Sequence, residues 1–345
     1  MRALVLHSRG DPGSLALSER PRPEPGPGQV RVRVAAAALN HVDLYMIDSG
    51  AGIRHSLPLT LGVDVAGTVE ATGPGVAGWT PGQAVLVYPA QTCGHCEFCR
   101  RGEQMLCLEC RIIGEHIDGG FAESVCVQAA CLFPVPAGLD FEAAAALPVA
   151  YLTAWRMLMT QAGLRAGETV LIHGVGGGVA LAALQIAVMA GARAVVTSGE
   201  AAKLERALAL GAEAAVGYRD GDVLRAVMDF TAGRGVDVVI DNVGGPAWGL
   251  SLRAARRGGR VVTCGATAGP NPGAELQRVF IRQLRIFGST LGTYEEFRAL
   301  LAAAGRGAIA PVIDRIYPLA QAPEALERLR QGRQFGKLVL RVGEG

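Results

Sequence analysis

Hydrophobic and polar positions alternate with a period of two across Val30, Arg31, Val32, Arg33 and Val34, and Val63, Val65, Gly67 and Val69 repeat that spacing. Each run predicts a strand with one buried face. Clusters that favour turns separate these runs, PRPEPGPGQ at 21–29 and GPGVAGWTPG at 73–82. The first 140 or so residues therefore read as a small, irregular β domain. From about Phe141 the texture changes to Ala-rich segments of helical length alternating with short β-branched runs at 169–173, 194–197, 214–218, 236–241, 260–264 and 284–288. Six such runs match a doubly wound parallel sheet of the α/β class. After about Leu291 helix and strand mix again, and the closing FGKLVLRV is expected to pair back into the first domain. One domain thus comprises 1–145 and 291–345, with 146–290 inserted as a six-stranded, doubly wound domain of the Rossmann type.

Composition supports this division. A chain of 345 residues exceeds what one core usually supports, and with half its residues apolar, 47 glycines and 19% charged it suits two compact domains. The net charge of +2 and the absence of a basic stripe argue against nucleic acid as a partner. MRALVLHSRG is too short in apolar residues to be a secretory signal. The apolar stretch 169–192 is broken by His173, Gln185 and a glycine cluster, so it reads as strand, loop and buried helix rather than a membrane span. A cytoplasmic protein is expected.

CGHCEFCRRGEQMLC places Cys93, Cys96, Cys99 and Cys107 with two, two and seven residues between them. Four thiolates on one loop can close a tetrahedron around one structural zinc, leaving no position for water or substrate. A disulfide set and an iron–sulfur cluster are the alternatives. Cys110, Cys126, Cys131 and Cys264 stand outside the pattern and read as small, partly buried residues. After the strand TVLIH, GVGGGVALAALQIA forms a glycine-rich turn that opens a helix, with Gly174, Gly177 and Ala180 as the best frame. Backbone N–H groups around Gly174, Gly177, Gly178 and Val179 would meet a pyrophosphate there.

The cysteine lobe, at 91–110, and the glycine turn together resemble the medium-chain dehydrogenase/reductase superfamily over nearly the whole chain. That resemblance implies a GroES-like β domain for the first part, and an NAD(P)-dependent oxidoreductase that works as a homodimer or homotetramer. It places Ser198 where NAD-specific relatives carry an acid, followed by Lys203. A hydroxyl and a cation would hold a 2′-phosphate that an acid would repel, so NADPH is expected. By the same resemblance Tyr218 contacts the adenosine phosphate, Asn242, Val243, Gly265 and Ala266 line the nicotinamide path, and Thr153 lies near the ring.

In the catalytic pocket the chain departs from zinc alcohol dehydrogenases. Asn40 stands for the ligating cysteine, Val63 for the histidine, and the third ligand position falls near Val149. These residues cannot replace soft or borderline ligands, so no catalytic zinc is expected. His41, Asp43, Asp64 and His116 are the candidates for a rebuilt site. Asn40, Asp43 and Tyr45 instead resemble the zinc-free quinone oxidoreductase branch. This predicts hydride transfer to a quinone or an α,β-unsaturated carbonyl. Asn40 or Tyr45 would hydrogen-bond the developing enolate, Asp43 would orient neighbours, and no cation would polarise the oxygen. An alcohol dehydrogenase of unusual ligation and a dinucleotide-binding protein without turnover are the competing readings.

Overall fold

The structure is a computed structural model that describes residues 1–10, 12–49 and 55–343. It divides into two compact units, Met1–Val149 with Thr293–Gly345, and Ala150–Gly292.

The first unit is built around the strand Gln29–Ala38, which carries neighbours on both edges in a seven-stranded sheet. Val30, Val32 and Val34 are buried while Arg33 is exposed, as the period-two pattern requires. Ala36, Ala37 and Ala38 break the alternation and are all buried, because the helix Phe141–Ala145 packs on this end of the strand. Asp64–Thr72 pairs with it antiparallel, Ala38 standing opposite Asp64. The strand begins at Asp64, one residue after the predicted Val63. On the other edge lies Lys337–Arg341, antiparallel, with Val339 opposite Ala38. These two registers bring Asn40, Asp64 and Lys337 to one end of the sheet from three distant stretches of chain.

The second unit is an α/β sheet of six parallel strands. In chain order they are Thr169–Ile172, Arg193–Ser198, Ala214–Gly217, Val236–Asp241, Ala255–Thr263 and Arg285–Gly288, arranged 3-2-1-4-5-6. The first and fourth strands are buried along their whole length, as central strands covered on both faces must be. The fifth starts five residues before the predicted 260, because Gly258 and Gly259 carry the chain through a bulge that keeps pairing with Val236. The apolar stretch 169–192 resolves into the first strand, the glycine turn and the helix Gly178–Met189. Among the described residues no helix is long and apolar enough to cross a membrane.

Candidate functional site

In the cysteine lobe the four Sγ atoms lie within 4.8 Å of one another. Cys93 Sγ stands 3.9 Å from Cys99 Sγ and 3.6 Å from Cys107 Sγ. A tetrahedron with Zn–S bonds of about 2.3 Å sets its sulfurs about 3.8 Å apart, whereas a disulfide needs about 2.05 Å. The spacing therefore fits one zinc, and it is too tight to surround a cluster of several irons. The backbone supports the ring: Cys96 caps the short helix Glu97–Arg100, its Sγ accepting from Cys99 N–H, and Cys93 Sγ accepts from Cys96 N–H. Donation from Cys99 N–H draws the Cys96 thiol down to about 6, while burial pushes its neighbour Cys99 up to about 12. The remaining cysteines are driven the other way by burial, Cys110 and Cys126 to about 11, Cys131 and Cys264 to about 12, which leaves them unreactive thiols.

The sheet end described above holds a buried ionic network. Lys337, 3% exposed, donates from Nζ to Asn40 Oδ1 at 2.6 Å, to Asp64 Oδ2 at 2.9 Å and to the Leu39 carbonyl at 2.8 Å. Asn40 Nδ2 donates to Asp64 Oδ2 at 2.8 Å and to the Ala38 carbonyl at 3.3 Å. Asp64 Oδ1 accepts from Val149 N–H at 2.8 Å. The three positions assigned to metal ligands by resemblance are thus occupied by an amide, an apolar side chain and a backbone donor, with an ammonium ion between two of the strands.

Lys337 was not singled out in the sequence; its three ammonium hydrogens are taken up by Leu39, Asn40 and Asp64, so it is a buried cation that holds the network. Its lysine identity is one signal that could have found it, since the chain holds two lysines against 31 arginines. Asn40 is also recast. Both hydrogens and the oxygen of its amide have protein partners, so the geometry makes it a positioning residue rather than a donor to substrate.

Asp43 sits in the first turn of the helix His41–Asp48, fully buried, and its Oδ2 accepts from Asn40 N–H at 2.8 Å. Burial outweighs that bond and the nearby Lys337, and pushes the carboxyl up to about 7. An aspartate in an unfolded chain titrates near 4, so the folded state holds an extra proton between these limits and loses stability as pH rises through them. Urea unfolding at about pH 5 and about pH 7.5 is expected to show Asp43→Asn flattening this part of the pH profile, by about 3 kcal/mol. An unchanged profile would rule out the elevated carboxyl. Tyr45, two residues on, is half-buried on the same helix.

In the second unit the candidate cofactor residues gather at the C-terminal ends of the strands. Gly174 and Gly176 have φ of 71° and 120°, and Gly177 forms the N-cap of the helix Gly178–Met189. Gly176, outside the predicted frame, has a backbone conformation that side-chain-bearing residues rarely adopt, and a Cβ there would also push aside the Lys203 stem, 2.7 Å away at Cδ. A Cβ on Gly174 would touch Val243 at 3.5 Å, and one on Gly265 would meet the Asn242 carbonyl at 3.3 Å. A Cβ on Gly244 would meet Ala266 at 3.1 Å. Tyr218 N–H donates to the Ser198 carbonyl, joining the second and third strand ends. Thr153 is buried on the helix Ala150–Trp155, which packs against Gly178–Met189.

A buried polar chain that the sequence did not reveal fixes this edge. His173 Nδ1 meets Thr197 Oγ1 at 3.3 Å, and its Nε2 meets Ser251 Oγ at 3.0 Å. Ser251 Oγ donates to Asp241 Oδ2 at 2.7 Å, while Asp241 Oδ1 accepts from Val243 and Gly244 N–H. Burial lowers the His173 pKa and keeps the ring neutral, so it can link both hydroxyls as one donor and one acceptor. Asn242 Oδ1 is buried and has no hydrogen-bond partner among the described residues. An orphaned acceptor among these glycines fits an amide donor such as a nicotinamide carboxamide.

His41, Asp43, Asp64 and His116 do not converge into a metal site among the described residues. His55, Glu115 and His116 do bring their ligand atoms within 4.8 Å. Arg9, however, donates to His55 Nδ1 at 2.7 Å, and Ile112 N–H donates to His116 Nδ1 at 3.2 Å. Each ring then carries its proton on Nε2, which for His55 stands 3.5 Å from Glu115 Oε1, and a protonated ring nitrogen is not a ligand.

A glycine turn at the edge of a 3-2-1-4-5-6 parallel sheet, joined in sequence to a β unit with a four-cysteine lobe, defines a pyridine-nucleotide oxidoreductase. Comparison with known proteins agrees. The alcohol dehydrogenase GroES-like domain matches residues 26–137, and the zinc-binding dehydrogenase family matches 178–306. Acryloyl-coenzyme A reductase of Metallosphaera sedula is 32% identical over 308 residues, 88% of this chain and 89% of that protein. Quinone oxidoreductase of Rattus norvegicus is 30% identical, covering 88% and 85%. A crystal structure named NAD-dependent alcohol dehydrogenase superimposes with a TM-score of 0.95 at 42% identity, covering 99% of this chain and all of that one. The chain belongs to the medium-chain dehydrogenase/reductase superfamily and is an NAD(P)-dependent oxidoreductase.

Proposed function

We propose that the protein is an NADPH-dependent reductase of conjugated carbonyl compounds, either quinones or α,β-unsaturated carbonyls including thioesters, and that it works without a catalytic zinc. The observation that carries this reading is the Asn40–Asp64–Lys337 network, in which the residue that stands for a ligating cysteine, Asn40, is wholly engaged with a buried carboxylate and ammonium. A saturated ketone needs its oxygen strongly polarised before it accepts hydride. A conjugated acceptor spreads the charge of the resulting enolate, and hydrogen bonds suffice to hold it. Relatives named acryloyl-coenzyme A reductase and quinone oxidoreductase act on such acceptors by name.

NADPH when bound supplies the hydride. The protein's own residues do the rest. The Tyr45 phenol donates to the acceptor oxygen, and it or a water delivers the proton that completes the reduction. Asn40 and Asp43 hold the start of the helix on which Tyr45 stands, and the Lys337 ammonium keeps Asp64 and Asn40 in place. The Gly174–Val179 turn faces the pyrophosphate.

The alcohol dehydrogenase reading is favoured by the 42%-identical structure of that name, but it needs a metal that Asn40, Val63 and Val149 do not hold. NADPH oxidation by the zinc-loaded enzyme, assayed with quinones, enones, enoyl thioesters and saturated aldehydes, separates the two. Turnover is expected with the conjugated acceptors and is expected to resist chelators. Chelator-sensitive turnover confined to saturated aldehydes, with a second zinc per chain, would overturn the proposal. Binding of NADPH with no turnover across the panel would overturn it in favour of a non-catalytic binding protein.

A further inference from the structure

At the end of the second strand of the parallel sheet, where this fold places the adenosine ribose, Ser198 pairs with Gly217 and the two residues after Gly217 fold back over Gly199. A Cβ on Gly199 would lie 2.8 Å from Tyr218 Oη and 2.9 Å from Arg219 Nε. The phenol and the guanidinium therefore both stand directly against this glycine, and any side chain at 199 would displace them. Tyr218 is 55% exposed and Arg219 is exposed, so both residues remain accessible to a ligand at this edge. Among the described residues Arg219 takes part in no ion pair and no side-chain hydrogen bond. Lys203 differs on both counts. Its stem lies across Gly176, its side chain is 12% exposed, and its ammonium is paired with Glu200 Oε1 at 2.8 Å. Glu200 is itself held at this strand end, its N–H donating to Ser198 Oγ at 3.3 Å.

We infer that Arg219, and not Lys203, is the residue that distinguishes a 2′-phosphorylated adenosine ribose from an unphosphorylated one, with Gly199 keeping the guanidinium within reach. The inference rests on the NADPH reading and assigns its specificity. A cation already neutralised by a neighbouring carboxylate adds little net attraction for a phosphate. A guanidinium with five unengaged donors forms the bidentate, charge-assisted contacts that phosphate favours. Lys203 then serves the glycine turn, covering Gly176 for either cofactor.

Dissociation constants of the full-length, zinc-loaded protein decide the matter, measured for NADPH, NADH, adenosine 2′,5′-bisphosphate and 5′-AMP. Arg219→Gln is expected to weaken NADPH and the bisphosphate by about 10- to 100-fold and to leave NADH and 5′-AMP within about twofold. Arg219→Lys recovers part of the loss, and Lys203→Gln weakens both members of each pair alike. If wild type favours NADPH and Arg219→Gln keeps that preference, or if Lys203→Gln abolishes it alone, the assignment to Arg219 is overturned. If wild type itself binds NADH more tightly than NADPH, the cofactor reading falls, and the inference with it.

Discussion

Replacing Lys337 with methionine is expected to lower the stability of the first unit by about 3–5 kcal/mol, the usual cost of leaving a buried charge without its partner. Asp64 is completely buried and would keep one carboxylate facing an apolar side chain, while Asn40 Oδ1 and the Leu39 carbonyl would each lose a donor. For a unit of this size the loss corresponds to a fall in Tm of about 10 °C. The paired variant Asp64→Asn with Lys337→Met removes both charges, and it is expected to recover at least half of the loss. Thermal or urea unfolding monitored on the first unit reads both numbers. If the single variant matches wild type, the network is not an ion pair in solution; if the double variant is no better than the single, the cost lies in packing instead. Activity should follow stability only in part. Lys337 also sets the Asn40 amide beside the helix that carries Tyr45, so turnover below the melting temperature is expected to drop with little change in cofactor binding.

The second large effect concerns the cysteine lobe. Cys93→Ser is expected to reduce zinc content from one per chain to less than about 0.1, because a hydroxyl is a poor ligand for a borderline-soft cation and the remaining three thiolates leave the tetrahedron open. Cys93 is the sulfur most entwined in the ring, close to Cys99 and Cys107 and accepting from Cys96 N–H. Between Cys93 and Cys107 the chain has two single-turn helices and no buried apolar side chain. Structural zinc contributes on the order of 10 kcal/mol to such segments, so the metal-free lobe should open locally and be cut by protease at least about tenfold faster. Metal analysis and timed proteolysis check this. A lobe that stays resistant without zinc would contradict the structural role, and a wild-type content of two zinc ions per chain would contradict the metal-free catalytic site.

Much of this architecture was legible in the residues alone. The parallel sheet was legible in six short runs separated by helix-length segments, most clearly at the first and fourth strands, which are covered on both faces and so are apolar nearly throughout. The glycine turn was visible for a related reason: φ near 71° at Gly174 and 120° at Gly176 is open to few other residues. The convergence of the four cysteines was the most legible of all, since they fall within fifteen residues and a short loop suffices to bring their Sγ atoms within 4.8 Å of one another.

What the sequence could not disclose are the contacts made between stretches far apart in the chain. Lys337 lies 273 residues from Asp64 and 297 from Asn40. Only the antiparallel pairing of the last strand with Gln29–Ala38 makes them neighbours, and a shift of one residue in that register would turn Lys337 to the opposite face. The His173–Ser251–Asp241 chain and the approach of Arg219 to Gly199 arise in the same way, from strand ends aligned by a sheet. By itself the sequence determined which segments become strands, where the glycine-rich turn opens a helix and which loop gathers four cysteines, since each depends on near neighbours along the chain. Tertiary structure alone decided which polar groups those segments bury together, and so set the Lys337 ammonium against Asn40 and Asp64.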